Sequence, residues 1–182
     1  MGYALERARP SDVDEVYANI CAVREAGIGV WDEYYPDLEI VKDDAERGWL
    51  YVARENGTAG GIASGIATGR IIASIVISDS ENEDAEELEG CDIEWQGEKP
   101  SFLSRLCVAP GLQGRGIGTE MMRLALGVAW GLGYDSVRLL AAEDNPTAVG
   151  IYERLSFRRC GEVDMFDEHF IVFEKTRAGT QG

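Results

Sequence analysis

A glycine-rich stretch between an apolar segment and an amphipathic one most constrains how this chain can fold. It ends the segment Leu106–Gly118, which reads LCVAPGLQGRGIG. Four apolar residues after the glycines recur at helical spacing: Ile117, Met121, Leu124 and Val128. This spacing predicts a helix over Gly116–Leu132, preceded by a strand and a tight turn. Gly114, Gly116 and Gly118 lack a Cβ, so the backbone there can take positive φ and approach a ligand closely.

The start of that helix is suited to binding an anion. The first N–H groups of a helix have no partner inside it, and the positive end of the helix dipole lies there. Arg115 can add a charge-assisted hydrogen bond to a phosphate. No Gly-Lys-Ser or Gly-Lys-Thr ends the turn, and Met121 or Thr119 stands where a G-x-G-x-x-G fingerprint needs its last glycine. A turn whose glycines serve packing alone is the alternative.

The pattern of apolar segments predicts one α/β domain over residues 1–182, a length that suits a single core. The predicted strands are Tyr3–Ala8, Trp49–Arg54, Ile62–Ile77, Phe102–Val108, Ser136–Ala141, Arg158–Met165 and Phe170–Lys175. The predicted helices are one with an N-cap at Ser11, then Asp37–Arg47, Gly116–Leu132 and Pro146–Leu155. Residues 78–90 are acidic without apolar periodicity, which predicts a solvated surface loop. Alternation of strands and helices predicts a mixed sheet with helices on its faces.

Charge and cysteine content limit the classes of partner. The formal net charge of −16 repels polyanions, so neither nucleic acid nor an anionic membrane surface is expected. No apolar run reaches the ~18 residues of a membrane span, and the first residues resemble no targeting signal, so we expect a cytoplasmic location. The four cysteines are too scattered for a metal or redox motif, and no metal is expected. The excess of acidic over basic residues is explained either by solubility or by attraction of cationic substrates.

Two motifs in the second half resemble the GNAT superfamily of acetyltransferases. Gln113–Gly118, QGRGIG, resembles the family's pyrophosphate-binding signature Q/R-x-x-G-x-G/A, and Leu106–Pro110 resembles the end of its strand four. Asn145–Phe157, NPTAVGIYERLSF, is similar to the family pattern N-x-x-A-x-x-x-Y-E-x-x-G-F. Ser156 departs from that pattern, where Gly is usual, which puts the helix cap rather than the chemistry in question. The resemblance is tight over Leu103–Phe157 and looser elsewhere.

The resemblance implies a fold, a cosubstrate and a set of binding residues. The fold is α/β (α+β), with a mixed, mostly antiparallel central sheet flanked by helices and with strands four and five splayed. The activity is N-acetyl transfer from acetyl-CoA to a primary amine of a small molecule or protein, directly within a ternary complex. Homodimerisation is common in the family. The implied cofactor-binding residues are Leu106, Cys107, Val108, Gln113, Gly114, Arg115, Gly116, Ile117, Gly118, Thr119, Asn145 and Tyr152.

Tyr152 and Glu94 are the catalytic candidates. Tyr152 matches the family's catalytic tyrosine, which protonates the CoA thiolate; a core aromatic with a satisfied hydroxyl is the alternative. Glu94, beside Trp95 and before strand four, is a candidate base for an amine that titrates near pH ~10; an exposed loop carboxylate is the alternative. Cys107 has no histidine near it in sequence, which disfavours an acetyl-cysteine intermediate. His169, the only histidine, is expected to be structural.

Two other classes of function stay open from sequence alone. One is a non-catalytic regulatory module that binds acetyl-CoA, and the other is a structural or interaction domain that needs no anion site. Binding of CoA separates the last class from the other two, and turnover separates the enzyme from the module. The presence of Tyr152 favours the enzyme.

Overall fold

Seven strands and four α-helices make up the described part of the chain. The structure is a computed structural model that describes residues 3–28, 31–55, 69–79, 88–165 and 168–177. The strands are β1 (Leu5–Arg7), β2 (Leu50–Arg54), β3 (Ile71–Ser78), β4 (Pro100–Val108), β5 (Ser136–Ala142), β6 (Arg158–Met165) and β7 (Glu168–Thr176). The helices are α1 (Val13–Glu25), α2 (Leu38–Glu46), α3 (Ile117–Gly131) and α4 (Pro146–Arg154), with a 3₁₀ turn at Pro10–Asp12.

The strands form a mixed sheet in the order β1-β2-β3-β4-β5-β7-β6. The pairs β1–β2, β2–β3, β5–β7 and β6–β7 are antiparallel, whereas β4 and β5 are parallel. The parallel register joins Pro100–Phe102 to Ser136–Arg138 and ends there, although both strands continue. The mixed, mostly antiparallel sheet with splayed fourth and fifth strands is therefore confirmed.

The chain divides into two compact units, each formed by two segments. Unit 1 comprises Met1–Val76 and Arg105–Ala125, and unit 2 comprises Ile77–Ser104 and Leu126–Gly182. The core of unit 1 buries apolar residues of α1, α2, β2 and β3 together with Cys107. A core cluster of unit 2 contains Leu88, Phe102, Cys160 and Val172. One domain over residues 1–182 stays a prediction.

Most predicted elements agree with the structure within two residues at each end, but the cap of the first helix was predicted wrongly. Ser11 lies inside the 3₁₀ turn, and Asp12 occupies the N-cap position of α1, where its side chain makes no capping hydrogen bond. The Asp12 carboxylate instead accepts the Arg9 N–H at 2.8 Å and lies 2.7 Å from the Arg54 guanidinium. This contact closes the 3₁₀ turn that contains Ser11, so α1 begins only at Val13.

The predicted acidic loop over residues 78–90 starts one residue too early, because Ser78 still belongs to β3. Ser78 is the last residue of β3 and is buried, and Leu88 is buried in the core of unit 2. Ser78 and Leu88 are thus packed, whereas Glu89 and Gly90 are exposed as expected for a surface loop. Residues 80–87 lie outside the described residues, as do residues 62–68 of the predicted strand Ile62–Ile77, whose remainder forms β3.

The helices of the described ranges are all too short or too polar to cross a membrane. Of the four cysteines, Cys107 and Cys160 are buried, Cys21 is partly buried and Cys91 is exposed.

Candidate functional site

Three glycines of the turn between β4 and α3 adopt positive φ. The angles are 79° at Gly111, 74° at Gly114 and 79° at Gly116. A Cβ added to any of them would meet no described atom within 4 Å. These glycines are therefore required by the backbone conformation rather than by close packing, and the space beside them is open. Gly118 differs, since it lies within the first turn of α3.

The first turn of α3 supplies backbone donors without acceptors in the helix. The Glu120 N–H donates to the Gly116 carbonyl at 3.1 Å, so the N–H groups of Ile117, Gly118 and Thr119 precede the first helical bond. The helix dipole adds about half an elementary positive charge at this end. Residues 113–116, directly before it, are exposed. Open space, free donors and positive potential together fit a pyrophosphate.

Two side chains of the turn take different positions. Arg115 is exposed and forms no ion pair with any described residue, so its charge is available to a ligand. The Gln113 Nε2 donates to the Val108 carbonyl at 3.1 Å. The contact made by Gln113 is therefore local, tying the turn to the end of β4.

The last three residues of β4 are not equivalent. The Cys107 side chain is 2% exposed within the core of unit 1, whereas Leu106 and Val108 are partly exposed. Burial raises the pKa of the Cys107 thiol to about 12. Cys107 is thus a neutral thiol at physiological pH and unsuited to form an acetyl-cysteine. Cofactor binding by these three residues stays a prediction that concerns their backbone groups.

Arg105, just before these residues, is a feature that the sequence reasoning missed. Its φ is 52°, a left-handed conformation that costs a non-glycine residue about 1–2 kcal/mol. Its guanidinium forms a bidentate pair with Asp44 of α2, at 2.9 and 2.7 Å, and donates to the Tyr35 hydroxyl at 2.8 Å. The side chains of Arg105 and Asp44 are 8% and 4% exposed. In the sequence Arg105 is visible only as an arginine within an apolar strand, and this does not identify Asp44 as its partner.

In unit 2, α4 begins as the sequence indicated. Asn145 is the N-cap, and its Oδ1 accepts the Ala148 N–H at 3.1 Å. Pro146 occupies the first helical position, where no N–H is needed. The backbone N–H of Asn145 donates to the Ala142 carbonyl at 3.0 Å. This cap positions Asn145, and its contact with a cofactor stays a prediction.

The end of α4 resolves the question raised by Ser156. The residue adopts φ 59°, the conformation that usually selects glycine. The Ser156 N–H bonds the Glu153 carbonyl at 2.9 Å, and the Phe157 N–H bonds the Tyr152 carbonyl at 3.0 Å. These are the two bonds of a Schellman motif, so the cap forms normally with serine in the glycine position.

Tyr152 is the one buried residue of α4. Its ring packs on Phe157 and Phe173, with centroid distances of 5.8 and 5.6 Å. Its hydroxyl makes no hydrogen bond with any described residue, and the catalytic role of Tyr152 stays a prediction. Burial raises the pKa of Tyr152 to about 12, which keeps the hydroxyl protonated throughout the physiological range. The Tyr152 side chain therefore combines a packed ring with a protonated hydroxyl that donates to no described residue.

Glu94 has a well-positioned backbone and a loosely held carboxylate. Its N–H donates to the Cys160 carbonyl at 3.2 Å, and its carbonyl accepts a hydrogen bond from Arg158. The side chain is 90% exposed, and Oε2 lies 4.0 Å from the Arg158 guanidinium. The neighbouring Trp95 ring lies under Arg138, whose guanidinium carbon is 3.9 Å from the ring centroid. Trp95 thus packs within unit 2, and its role as a pocket wall stays a prediction.

A buried glutamate, also missed by sequence reasoning, anchors this segment. Glu174 of β7 is 1% exposed. Its carboxylate accepts the N–H groups of Gln96 and Gly97 at 2.8 and 3.2 Å, and it pairs with Arg138 and Arg158 at 3.1 and 3.5 Å. Two cations and two backbone donors offset the desolvation of the buried charge. Glu174 therefore holds the backbone that follows Glu94.

His169 lies apart from these groups. It is partly exposed, and its ring nitrogens lie 2.7 Å from Asp164 and 3.5 Å from Glu162. The hydrogen bond with Asp164 raises the pKa of His169. Within the ranges that the structure covers, no group of three or more His, Cys, Asp or Glu side chains is arranged to hold a metal ion.

Comparison with known proteins gives one family. Residues 15–157 match the Acetyltransferase (GNAT) family, whereas no curated protein matches the chain. A GNAT-family acetyltransferase structure from Streptococcus agalactiae is 19% identical with TM-score 0.73, covering 97% of this chain and 96% of that one. A second, from Listeria monocytogenes, is 17% identical with TM-score 0.70, covering 96% and 95%. A Salmonella typhimurium protein, solved with its cofactor acetyl-CoA, is 13% identical with TM-score 0.66, covering 97% and 94%.

At these identities the solved structures establish the fold alone, and the activity follows from the family match. That match covers most of the chain and includes both the glycine turn and α4. The family uses acetyl-CoA, and the open turn before α3 fits its pyrophosphate. The chain belongs to the acetyltransferase (GNAT) family and is an acyl-CoA-dependent acetyltransferase.

Proposed function

We propose that the chain moves the acetyl group of acetyl-CoA to a primary amine by direct transfer in a ternary complex. The observation that carries the proposal is the turn before α3, where positive-φ glycines leave open space beside unpaired N–H groups. Those donors, with Arg115, bind the pyrophosphate of CoA. Asn145 contacts the pantetheine arm.

In the proposed reaction the amine nitrogen attacks the thioester carbonyl carbon. A C–N bond forms, the C–S bond breaks, and its electron pair leaves with the sulfur. Backbone N–H groups at Leu106–Val108 stabilise the negative charge that develops on the carbonyl oxygen. Tyr152 donates a proton to the departing thiolate, while Glu94, directly or through water, accepts the proton that the amine loses. One proton leaves nitrogen and one reaches sulfur; exchange with water then returns a proton to Tyr152 and removes the one held by Glu94, which restores both groups.

Glu94 is proposed as the base because its backbone is held while its carboxylate is free to meet a substrate. We expect Glu94→Gln to lower kcat/KM most at pH values below the pKa of the amine, where proton removal is needed. Glu98→Gln is the matched control, since Glu98 is another exposed glutamate of the same segment. Equal pH profiles for the Glu94 variant and the parent would exclude this role.

The acceptor is proposed to be a cationic amine. The support is the formal charge of −16, which raises the local concentration of cations and repels acidic acceptors. A panel of cationic, neutral and acidic amines, followed by thiol release from acetyl-CoA, tests this choice. Fastest turnover of an acidic amine would contradict it.

The turn itself is tested by comparing two glycines with the same backbone conformation. Gly116→Val places a side chain where the phosphate is proposed to bind, whereas Gly111→Val introduces the same strain, since both glycines have φ 79° and open space around them. We expect both variants to lose about 1–2 kcal/mol of stability. Only Gly116→Val is expected to lose CoA binding in isothermal titration. Equal CoA affinities for both folded variants would remove the turn as the binding site.

A further inference from the structure

The ion pair between Arg105 and Asp44 joins three separate parts of unit 1. Arg105 is in β4, Asp44 is in the last turns of α2, and Tyr35 belongs to the segment before α2. The Asp44 side chain is 4% exposed, so its charge depends on the guanidinium beside it. A bidentate pair also restricts direction, because two parallel hydrogen bonds allow little rotation of the guanidinium plane.

The backbone conformation of Arg105 matters for the residues that follow it. A left-handed residue within a strand interrupts the regular pleat and so changes the direction of the groups that follow it. Those next groups are Leu106–Val108, whose N–H groups are proposed to face the acetyl carbonyl. A strained conformation in a non-glycine residue persists only where surrounding contacts enforce it. Here the contacts are those of the guanidinium with Asp44 and Tyr35.

We propose that Arg105 is a positioning residue for acetyl transfer: its side chain, clamped by Asp44 and Tyr35, holds the left-handed backbone that aims the N–H groups of Leu106–Val108. The inference rests on the proposed function, since it assigns those groups to the acetyl oxygen. Cofactor recognition then has two parts, binding of the pyrophosphate and alignment of the acetyl group. The turn before α3 binds the pyrophosphate and sets affinity, whereas Arg105 sets the alignment of the reacting carbonyl and therefore acts on kcat.

The test removes both charges together. Removing Arg105 alone takes the bidentate guanidinium away from the buried Asp44 carboxylate, so loss of activity would also follow from poor folding. Arg105→Met combined with Asp44→Leu removes both charges of this pair, and we expect a thermal midpoint closer to that of the parent than the midpoint of Arg105→Met alone. We expect kcat to fall about 10- to 100-fold, because misplacement of a reacting group by about 1 Å has effects of this size. The Kd of CoA should change less than about threefold, since the turn is untouched.

A matched control is available in the same unit. Arg54 is a second buried arginine, 6% exposed, and it pairs with Glu6 and Asp12 at 2.7 Å. Arg54→Lys and Arg105→Lys both replace a guanidinium fork by a single ammonium group. We expect both to lower the thermal midpoint, but only Arg105→Lys to lower kcat. This pair of variants also serves if the double variant does not fold.

A second readout does not depend on turnover. Amide hydrogen exchange of Leu106–Val108 in ligand-free protein should be faster in the Arg105 variants than in Arg54→Lys. Parental kcat in the folded Arg105 variants, or unchanged exchange at these amides, would overturn the positioning role. If the parent releases no thiol with any amine, the proposed function fails, and the exchange measurement still decides whether Arg105 holds this backbone.

Discussion

The Tyr152→Phe variant separates the packing role of this residue from its chemical role. Phenylalanine keeps the contacts with Phe157 and Phe173, whose ring centroids lie 5.8 and 5.6 Å away. The hydroxyl has no hydrogen-bond partner within the described residues, so its removal breaks no bond there. We therefore expect the free energy of unfolding to change by less than about 0.5 kcal/mol.

The size of the catalytic effect follows from the burial of the hydroxyl. Burial raises the pKa of Tyr152 to about 12, whereas a thiol titrates near pH ~8.5. Complete proton transfer to a free thiolate is then uphill by about 5 kcal/mol, so most of the benefit comes from a hydrogen bond to the sulfur as charge develops. A hydrogen bond to a charged group contributes about 1.5–3 kcal/mol, which corresponds to about a 10- to 150-fold fall in kcat.

Single-turnover kinetics at saturating acetyl-CoA and amine provide the assay. The Kd of CoA should stay close to that of the parent. With a pKa of about 12, deprotonation of Tyr152 should not lower parental turnover below about pH 11. A Phe variant with the parental rate in the chemical step would falsify the acid role. An alkaline decline near pH ~9 that disappears in the variant would instead show that the tyrosine pKa is not raised.

Three further outcomes are expected. Ser156→Gly should stabilise the protein by about 0.5–1 kcal/mol in urea unfolding, because relief of positive φ exceeds the entropy that glycine adds to the unfolded chain, while Ser156→Ala should have little effect. The imidazole signal of His169, the only histidine, should titrate above pH ~6.5 in NMR, and Asp164→Asn should lower this pKa. The contribution of His169 to the free energy of unfolding is present at acidic pH and is lost as the pH rises through the raised pKa. A thiol reagent at neutral pH should modify exposed Cys91 and spare Cys107 in the folded protein, because burial raises the pKa of the Cys107 thiol to about 12.

Sequence reasoning worked where the physical cause is local. The cap at Asn145 and Pro146 depends on residues a few positions apart, and so does the turn whose glycines need positive φ. The period of the apolar residues similarly gave α3 within one residue at each end. The 3₁₀ turn at Pro10–Asp12 was missed because Asp12, which closes it, is also held by Arg54 of a distant strand.

The contacts that hold candidate site residues depend on distant partners. Arg105 and Asp44 are 61 positions apart, and Glu174 accepts the N–H of Gln96 across 78 positions. Each looks in sequence like an ordinary charged residue, and only the folded chain shows which charge is buried and what offsets it. The sequence therefore identified groups proposed for chemistry, such as Tyr152, but not the residues that orient the neighbouring backbone.

The two described non-glycine residues with positive φ, Arg105 and Ser156, show how differently such strain is offset. Ser156 is held by two backbone hydrogen bonds that glycine would form equally well, so glycine relieves strain there without loss of a contact. At Arg105, glycine would also relieve about 1–2 kcal/mol of strain, but it would remove the bidentate guanidinium from the buried Asp44 carboxylate, and loss of one partner of a buried ion pair destabilises by about 3–5 kcal/mol. The same substitution should thus stabilise the protein at one position and destabilise it at the other. The strain at Ser156 has a local origin, because glycine removes it without loss of a contact. The strain at Arg105 is enforced by a buried ion pair next to backbone groups proposed for catalysis, so it can be removed only together with the contacts that hold this backbone.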